Sequence, residues 1–159
     1  MKKTGVLIGF IMMLMALQAQ AQDYGTAVGL RLSPFWGASI KHFISGTDAL
    51  EGIVHSRWHA FKVTGLWERH TPAFREPGLK FYYGAGAHLG ATSGRYYNDS
   101  YYNRGRLILG IDGILGLEYT VQDASVPLSA SLDWKPAFDL APFAGFWGSE
   151  LALSVRYTF

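Results

Sequence analysis

Cysteine is absent from the 159 residues, which excludes a disulfide framework and a thiolate metal site. Beyond residue 21 no apolar run approaches the roughly twenty residues that a membrane-crossing helix needs, and no window keeps a helical period. There is no long internal repeat and no sign of a second domain. Excess charge is missing as well: Lys2 and Lys3 supply the formal +2, and the other 12 basic residues balance 12 acidic ones. A chain balanced in this way offers no electrostatic footing for nucleic acid. The Gly-x-Gly at Gly84–Gly86 lies inside an alternating stretch and not ahead of a helix, so it does not read as a phosphate cradle.

What is present starts at the N-terminus. Lys2 and Lys3 precede the thirteen residues Gly5–Leu17, which are apolar, and Gln-Ala-Gln-Ala then ends at Ala21. A basic start, a short apolar run and an Ala-x-Ala site are the parts of a secretory signal peptide, and the run is too short to cross a bilayer as a helix. The expectation is cleavage after Ala21, with residues 1–21 a signal peptide and residues 22–159 one exported domain. Taking 21 residues from 159 leaves 138, enough for a single domain.

Within that domain, alternation of apolar and polar residues recurs eight times, punctuated by Gly, Pro, Asp and Ser. Strands are expected near 24–33, 36–45, 49–58, 60–70, 79–91, 106–121, 127–137 and 149–159. One face carries Tyr24, Thr26, Val28, Leu30 and Leu32, then Leu79 to Leu89 in steps of two, then Leu107, Leu109, Ile111, Leu115 and Leu117. The opposite face collects the charges, among them Arg31, Lys41, Glu51, Lys62, Glu68, Lys80, Asp112, Glu118, Asp133, Lys135, Glu150 and Arg156. Small residues share that polar face, including Gly29, Gly84, Gly86, Gly110 and Gly116. A solvated surface has no reason to prefer them, whereas a narrow eight-stranded barrel with a polar interior has no room for much else. The aromatics, 15 % of the chain, gather toward strand ends, as two interfacial belts require.

The last segment is the most informative. From Glu150 to Phe159 the alternation is strict: Leu151, Leu153, Val155, Tyr157 and Phe159 share one face. This ending resembles the C-terminal assembly signal of Gram-negative outer-membrane barrels, in which a final strand closing on Phe is read by the barrel-assembly machinery. Residues 22–159 as a whole resemble the small eight-stranded outer-membrane barrels of the OmpX or OmpA-transmembrane type. The run Leu132-Asp-Trp-Lys-Pro-Ala-Phe-Asp-Leu140 is similar to a segment that recurs in small barrels of that class. The resemblance implies an all-β, antiparallel, up-and-down transmembrane barrel in the outer membrane. It further implies a monomer touching outer-membrane lipids, with Tyr157 and Phe159 as its assembly signal. Activity does not follow, because such folds host structural barrels, adhesins and lipid-modifying enzymes.

Short turns are expected at 45–48, 71–78 and 122–125, and outer connections at Pro34–Phe35, at His59, at 92–105 and at 139–148. The third connection is the longest, and Tyr96, Tyr97, Asn98, Tyr101 and Tyr102 within it are residue types that make adaptable contacts with an extracellular partner. His59, Asp99 and Ser100 supply a general base, an orienting acid and a nucleophile. Their scatter resembles that of outer-membrane palmitoyltransferases, but the N-terminal amphipathic helix of that family is missing. A deacylase-like His-x-Ser is missing too, since His55 and His70 are followed at once by Ser56 and Thr71. His42, His55, His70 and His88 fall on different strands and are expected as interior hydrogen-bonding groups, with no metal and no cofactor. Pro136, which lacks an amide proton, is expected to end the seventh strand. Asp133 and Lys135, two apart on one face, are expected within a paired interior network. The resulting reading is a non-enzymatic barrel with a structural or surface-interaction role. A lipid A-modifying enzyme is the alternative, and a secreted soluble β-barrel binding protein ranks behind it.

Overall fold

The computed structural model describes residues 24–34, 36–57, 60–92, 106–123, 125–142 and 144–159. Their regular structure is ten β-strands: β1 (Thr26–Leu32), β2 (Trp36–Phe43), β3 (Asp48–Arg57), β4 (Ala60–Pro72), β5 (Leu79–Thr92), β6 (Arg106–Thr120), β7 (Leu128–Trp134), β8 (Ala137–Ala141), β9 (Gly145–Trp147) and β10 (Leu151–Thr158). Each consecutive pair from β1 to β7 is antiparallel, β7 pairs with β10, and β10 returns to β1. The sheet therefore closes on itself, with β7 and β8 forming one stave and β9 and β10 another, which makes eight staves. The closing seam runs from Ala27 opposite Thr158 to Leu32 opposite Leu153. Closure through β10 and β1 removes the exposed edges that an open sheet would leave along those strands, and among the described residues β9 pairs with β8 alone.

Eight strands were expected, and the difference lies in the last two staves. As expected, β7 ends at Trp134, just before Pro136, but the stave continues beyond the proline. It removes one amide from the ladder, but its carbonyl still accepts from the Gly113 amide at 2.8 Å, and β8 resumes pairing with β6 at Ala137 opposite Asp112. The Lys135 amide donates to the Glu150 carbonyl at 2.9 Å, which holds β7 against β10 up to the break. The connection expected at 139–148 is accordingly not a plain loop: β8 and β9 pair as a hairpin extending the wall, with Phe138 opposite Phe146.

The turns follow from their residues. The Ser45 hydroxyl accepts from the Asp48 amide at 3.0 Å and closes the β2–β3 turn. Between β4 and β5, Phe74 and Arg75 both have positive φ, and Gly78 (φ 81°) fits where a Cβ would strike the Thr120 carbonyl. Before β7, the Asp123 carboxylate accepts from the Ser125 amide at 2.8 Å, and the Ser125 hydroxyl and amide hold that carboxyl below the usual range. These three turns lie at one end of the barrel, the turn end, along with Tyr24 and Phe159. The strand ends at Leu32 and Trp36, Arg57 and Ala60, Thr92 and Arg106, and Ala141 and Gly145 lie at the other, the loop end.

Burial is inverted relative to a water-soluble barrel. Arg31, Lys41, Lys135 and Arg156 have no exposed surface, while Leu30 and Leu107 are 62 % and 64 % exposed. Along β10 the apolar residues Leu151, Leu153, Val155 and Tyr157 all face outward, and Ala152, Ser154, Arg156 and Thr158 all face inward. An apolar exterior of this extent is stable against acyl chains and not against water. Trp36, Phe61, Phe138, Phe146 and Trp147 ring the loop end, and Trp67, Phe81, Tyr119 and Tyr157 ring the turn end, all of them exposed.

Candidate functional site

The lumen concentrates the polar chemistry, and its charges are bound to one another across the barrel. Nearest the turn end, Lys41 on β2 reaches Glu68 on β4 at 2.8 Å, Glu118 on β6 at 3.0 Å and Glu51 on β3 at 3.5 Å. Arg156 on β10 reaches two of the same carboxylates, donating to Glu51 at 2.5 Å and lying 3.8 Å from Glu118. Its other donors go to the Ser39 and Ser131 hydroxyls at 2.9 and 2.8 Å. Tyr24 donates to Glu118. Tyr82 lies flat beneath this cluster, with the Lys41 ammonium 4.2 Å above its ring and the His70 imidazole stacked at 4.9 Å.

A second layer joins Arg31 on β1 to Asp133 on β7 through both carboxylate oxygens, and the Tyr82 hydroxyl donates to Asp133 at 2.9 Å. Above it, Lys135 holds Asp112 at 2.8 Å and Glu150 at 3.0 Å. His88 bridges Asp112 at 2.6 Å and Asp139 at 2.9 Å, and Asp139 also accepts from the Trp147 indole at 2.8 Å. These groups are taken out of water, and each cation has carboxylates to meet it, as burial of charge requires. Glycine makes the space. A Cβ at Gly116 would stand 2.6 Å from Asp133 Cβ and 2.7 Å from Tyr82 Cζ, and a Cβ at Gly110 would strike the His88 ring.

The expected interior network is present, with four corrections in detail. Asp133 and Lys135 both point inward but bind different partners, because the barrel brings Arg31 and Asp112 closer than neighbours on one strand. His55, His70 and His88 are buried, whereas His42 is exposed on the outward face and meets the Thr26 hydroxyl at 2.8 Å. Tyr24, expected outward with Thr26 and Val28, is buried: it precedes β1, so the ladder does not fix its direction, and its hydroxyl finds Glu118. Phe43 and Tyr82 are interior aromatics that the belts did not anticipate, although both keep the phase of inward lysines, Lys41 and Lys80.

Of the residues expected to carry function, His59, Tyr96, Tyr97, Asn98, Asp99, Ser100, Tyr101 and Tyr102 lie outside the described residues. Tyr157 is exposed on β10, and its ring centroid is 6.2 Å from that of Phe159. Phe159 and Thr26 exchange backbone hydrogen bonds at 2.8 Å, so the seam is tied at its turn end. The lumen serines Ser39 and Ser131 accept from Arg156.

The architecture is that of the small eight-stranded outer-membrane barrels that the sequence resembles. The chain is similar to the N-terminal β-barrel domain of Pseudomonas aeruginosa OprF, with a TM-score of 0.66 and 15 % identity, covering 88 % of this chain and 100 % of that one. It is also similar to Neisserial surface protein A, NspA, with a TM-score of 0.55 and 14 % identity, covering 84 % of this chain and 93 % of that one. At such identities the likeness carries the fold alone. No protein-family model matches the chain, and no curated protein matches its sequence.

Proposed function

We propose that this chain is a monomeric, non-enzymatic barrel of the outer membrane, with a structural or surface-interaction role. The observation that carries the proposal is an apolar, doubly girdled exterior around a lumen crossed by ion pairs. Lys41 and Arg156 reach carboxylates across the lumen, and eight strands leave only side-chain space, so the interior serves as a brace and not as a pore. Lipids contact the outward leucines, and the barrel-assembly machinery reads the terminal strand with Tyr157 and Phe159. Any extracellular partner meets the 92–105 connection through Tyr96, Tyr97, Asn98, Tyr101 and Tyr102. NspA, one of the similar structures, is itself named a surface protein.

The test compares lipid A from cells with and without the protein, together with planar-bilayer conductance of the purified barrel. The expected results are identical acylation patterns and no discrete channel openings. A reproducible acylation change that disappears in Ser100→Ala or His59→Ala would make the chain a lipid A-modifying enzyme. Stable single-channel steps would contradict the braced lumen.

A further inference from the structure

Among the described residues, the outward face holds an ion pair that the apolar belt does not explain. Asp48 opens β3, Arg69 stands directly opposite on β4, and Tyr83 stands opposite Arg69 on β5. Arg69 Nε donates to Asp48 Oδ1 at 2.8 Å and Nη2 to Oδ2 at 3.3 Å, while the Ser45 hydroxyl meets Asp48 Oδ2 at 3.2 Å. The guanidinium carbon lies 5.5 Å from the centroid of the Trp67 ring. Tyr83 is exposed on the other side, its ring 6.3 Å from that of Phe81. The pair is thus fixed in place within the turn-end aromatic girdle, and the Arg69 side chain is still 48 % exposed. Exposed ion pairs of this kind add little to stability, so stability does not account for a fixed pair on the lipid side of the wall.

We propose that Asp48 and Arg69, flanked by Trp67 and Tyr83, bind the phosphoethanolamine headgroup of a phospholipid in the leaflet at the turn end. The inference rests on the membrane reading above. Asp48 occupies Nε and one hydrogen of Nη2, and a guanidinium has five N–H donors, so the remaining ones serve the lipid phosphate. The Asp48 carboxylate, which only accepts, takes hydrogen bonds from the primary ammonium. Two zwitterions then lie side by side with opposite polarity. The same geometry discriminates between headgroups. A trimethylammonium has no N–H to give Asp48, and a phosphoglycerol group brings a net negative charge against that carboxylate. Trp67 and Tyr83 sit at the depth of the glycerol backbone, where amphipathic rings are favoured.

The test uses the processed barrel purified from membranes and reconstituted in phosphatidylcholine vesicles. Each vesicle set contains a small fraction of phosphatidylethanolamine, phosphatidylglycerol or phosphatidylcholine with brominated acyl chains. The Trp67 signal is the difference in quenching between the parent chain and Trp67→Phe. The expected relative affinity for phosphatidylethanolamine is about fivefold above either other lipid. In Asp48→Asn phosphatidylglycerol rises to match it, and in Arg69→Gln the three lipids become equal. Soluble phosphoethanolamine is expected not to compete. Heat-modifiable migration in gels confirms that both variants fold. Equal quenching by all three lipids in the parent chain overturns the site, as does a preference that survives Arg69→Gln. Competition by soluble phosphoethanolamine overturns the lipid as its source. If no brominated lipid quenches any tryptophan, the barrel does not sit in lipid, and the membrane reading falls together with the site.

Discussion

Lys41 has three carboxylates around its ammonium and no exposed surface. Replacing it with methionine keeps the volume but leaves Glu51, Glu68 and Glu118 facing one another with Arg156 as the remaining cation. Breaking a buried network by removing one member costs about 3–5 kcal/mol, because the stranded charge stays desolvated. Lys41→Met is therefore expected to lower the unfolding free energy of the reconstituted barrel, measured by urea titration, by that amount. Arg69→Gln, on the exposed face, is expected to leave the unfolding free energy nearly unchanged. Comparable losses in the two variants would mean that the lumen charges are not a network. At this scale the sequence was legible wherever the strand ladder fixes direction: Arg31, Lys41, Glu118 and Gly116 fell inward, and Leu109, Leu117 and Leu153 outward. It misled at Tyr24, which stands just before the ladder begins. His42 was assigned inward against its own phase, although Ile40 beside it in the alternation marked that position as outward. The pairing of Lys41 with Glu118, Arg31 with Asp133 and Arg156 with Glu51 was not legible, because those pairs join strands far apart in sequence.

The staves show the same division between local and non-local causes. All three short turns and the first six strands could be read from alternation and from Gly, Pro, Asp and Ser, because those signals act within a few residues. The seventh and eighth staves could not be fully read. A proline inside a pattern reads as a stop, yet here β6 offers an unbroken partner on the other side of Pro136, and pairing resumes as β8. The terminal strand β10 has two partners, β7 and β1, and so closes the cylinder. Phe159 lies at the end of that seam, bonded through its backbone to Thr26. Replacing its ring with the methyl of alanine leaves those backbone bonds in place, so Phe159→Ala is expected to fold when refolded from urea into detergent. In cells the same variant is expected to accumulate as processed protein in the periplasm, since the aromatic ending is what the assembly machinery reads. Undiminished outer-membrane levels of Phe159→Ala would contradict that role.

Over the whole molecule, the sorting of side chains by face is the central fact. An arginine or lysine facing mid-bilayer lipid costs roughly 2–4 kcal/mol, so several such residues on the outward face would outweigh the stability of a barrel this size. Arg31, Lys41, Lys135 and Arg156 are instead gathered inside, where they brace the wall, and Arg69 faces outward only within the turn-end girdle. The loop end is then free to vary. Replacing residues 92–105 with a short Gly/Ser turn is expected to leave folding intact, since loop-closure entropy changes by only about 0.6 kcal/mol per doubling of length. Surface binding, if the tyrosines of that segment provide it, is expected to disappear in the same variant with the melting temperature unchanged. A variant that fails to fold would show that the segment is part of the barrel's own packing. The most direct test of the account is a scan of nitroxide labels along β6 in lipid bilayers, read by accessibility to oxygen and to a water-soluble nickel complex. Labels at Leu109, Ile111, Leu115 and Leu117 are predicted to be oxygen-accessible and closed to nickel, and labels at Asp112 and Glu118 closed to oxygen by the packed lumen. The opposite phase, or nickel access along the whole strand in protein that stays soluble without detergent, would contradict an inside-out barrel.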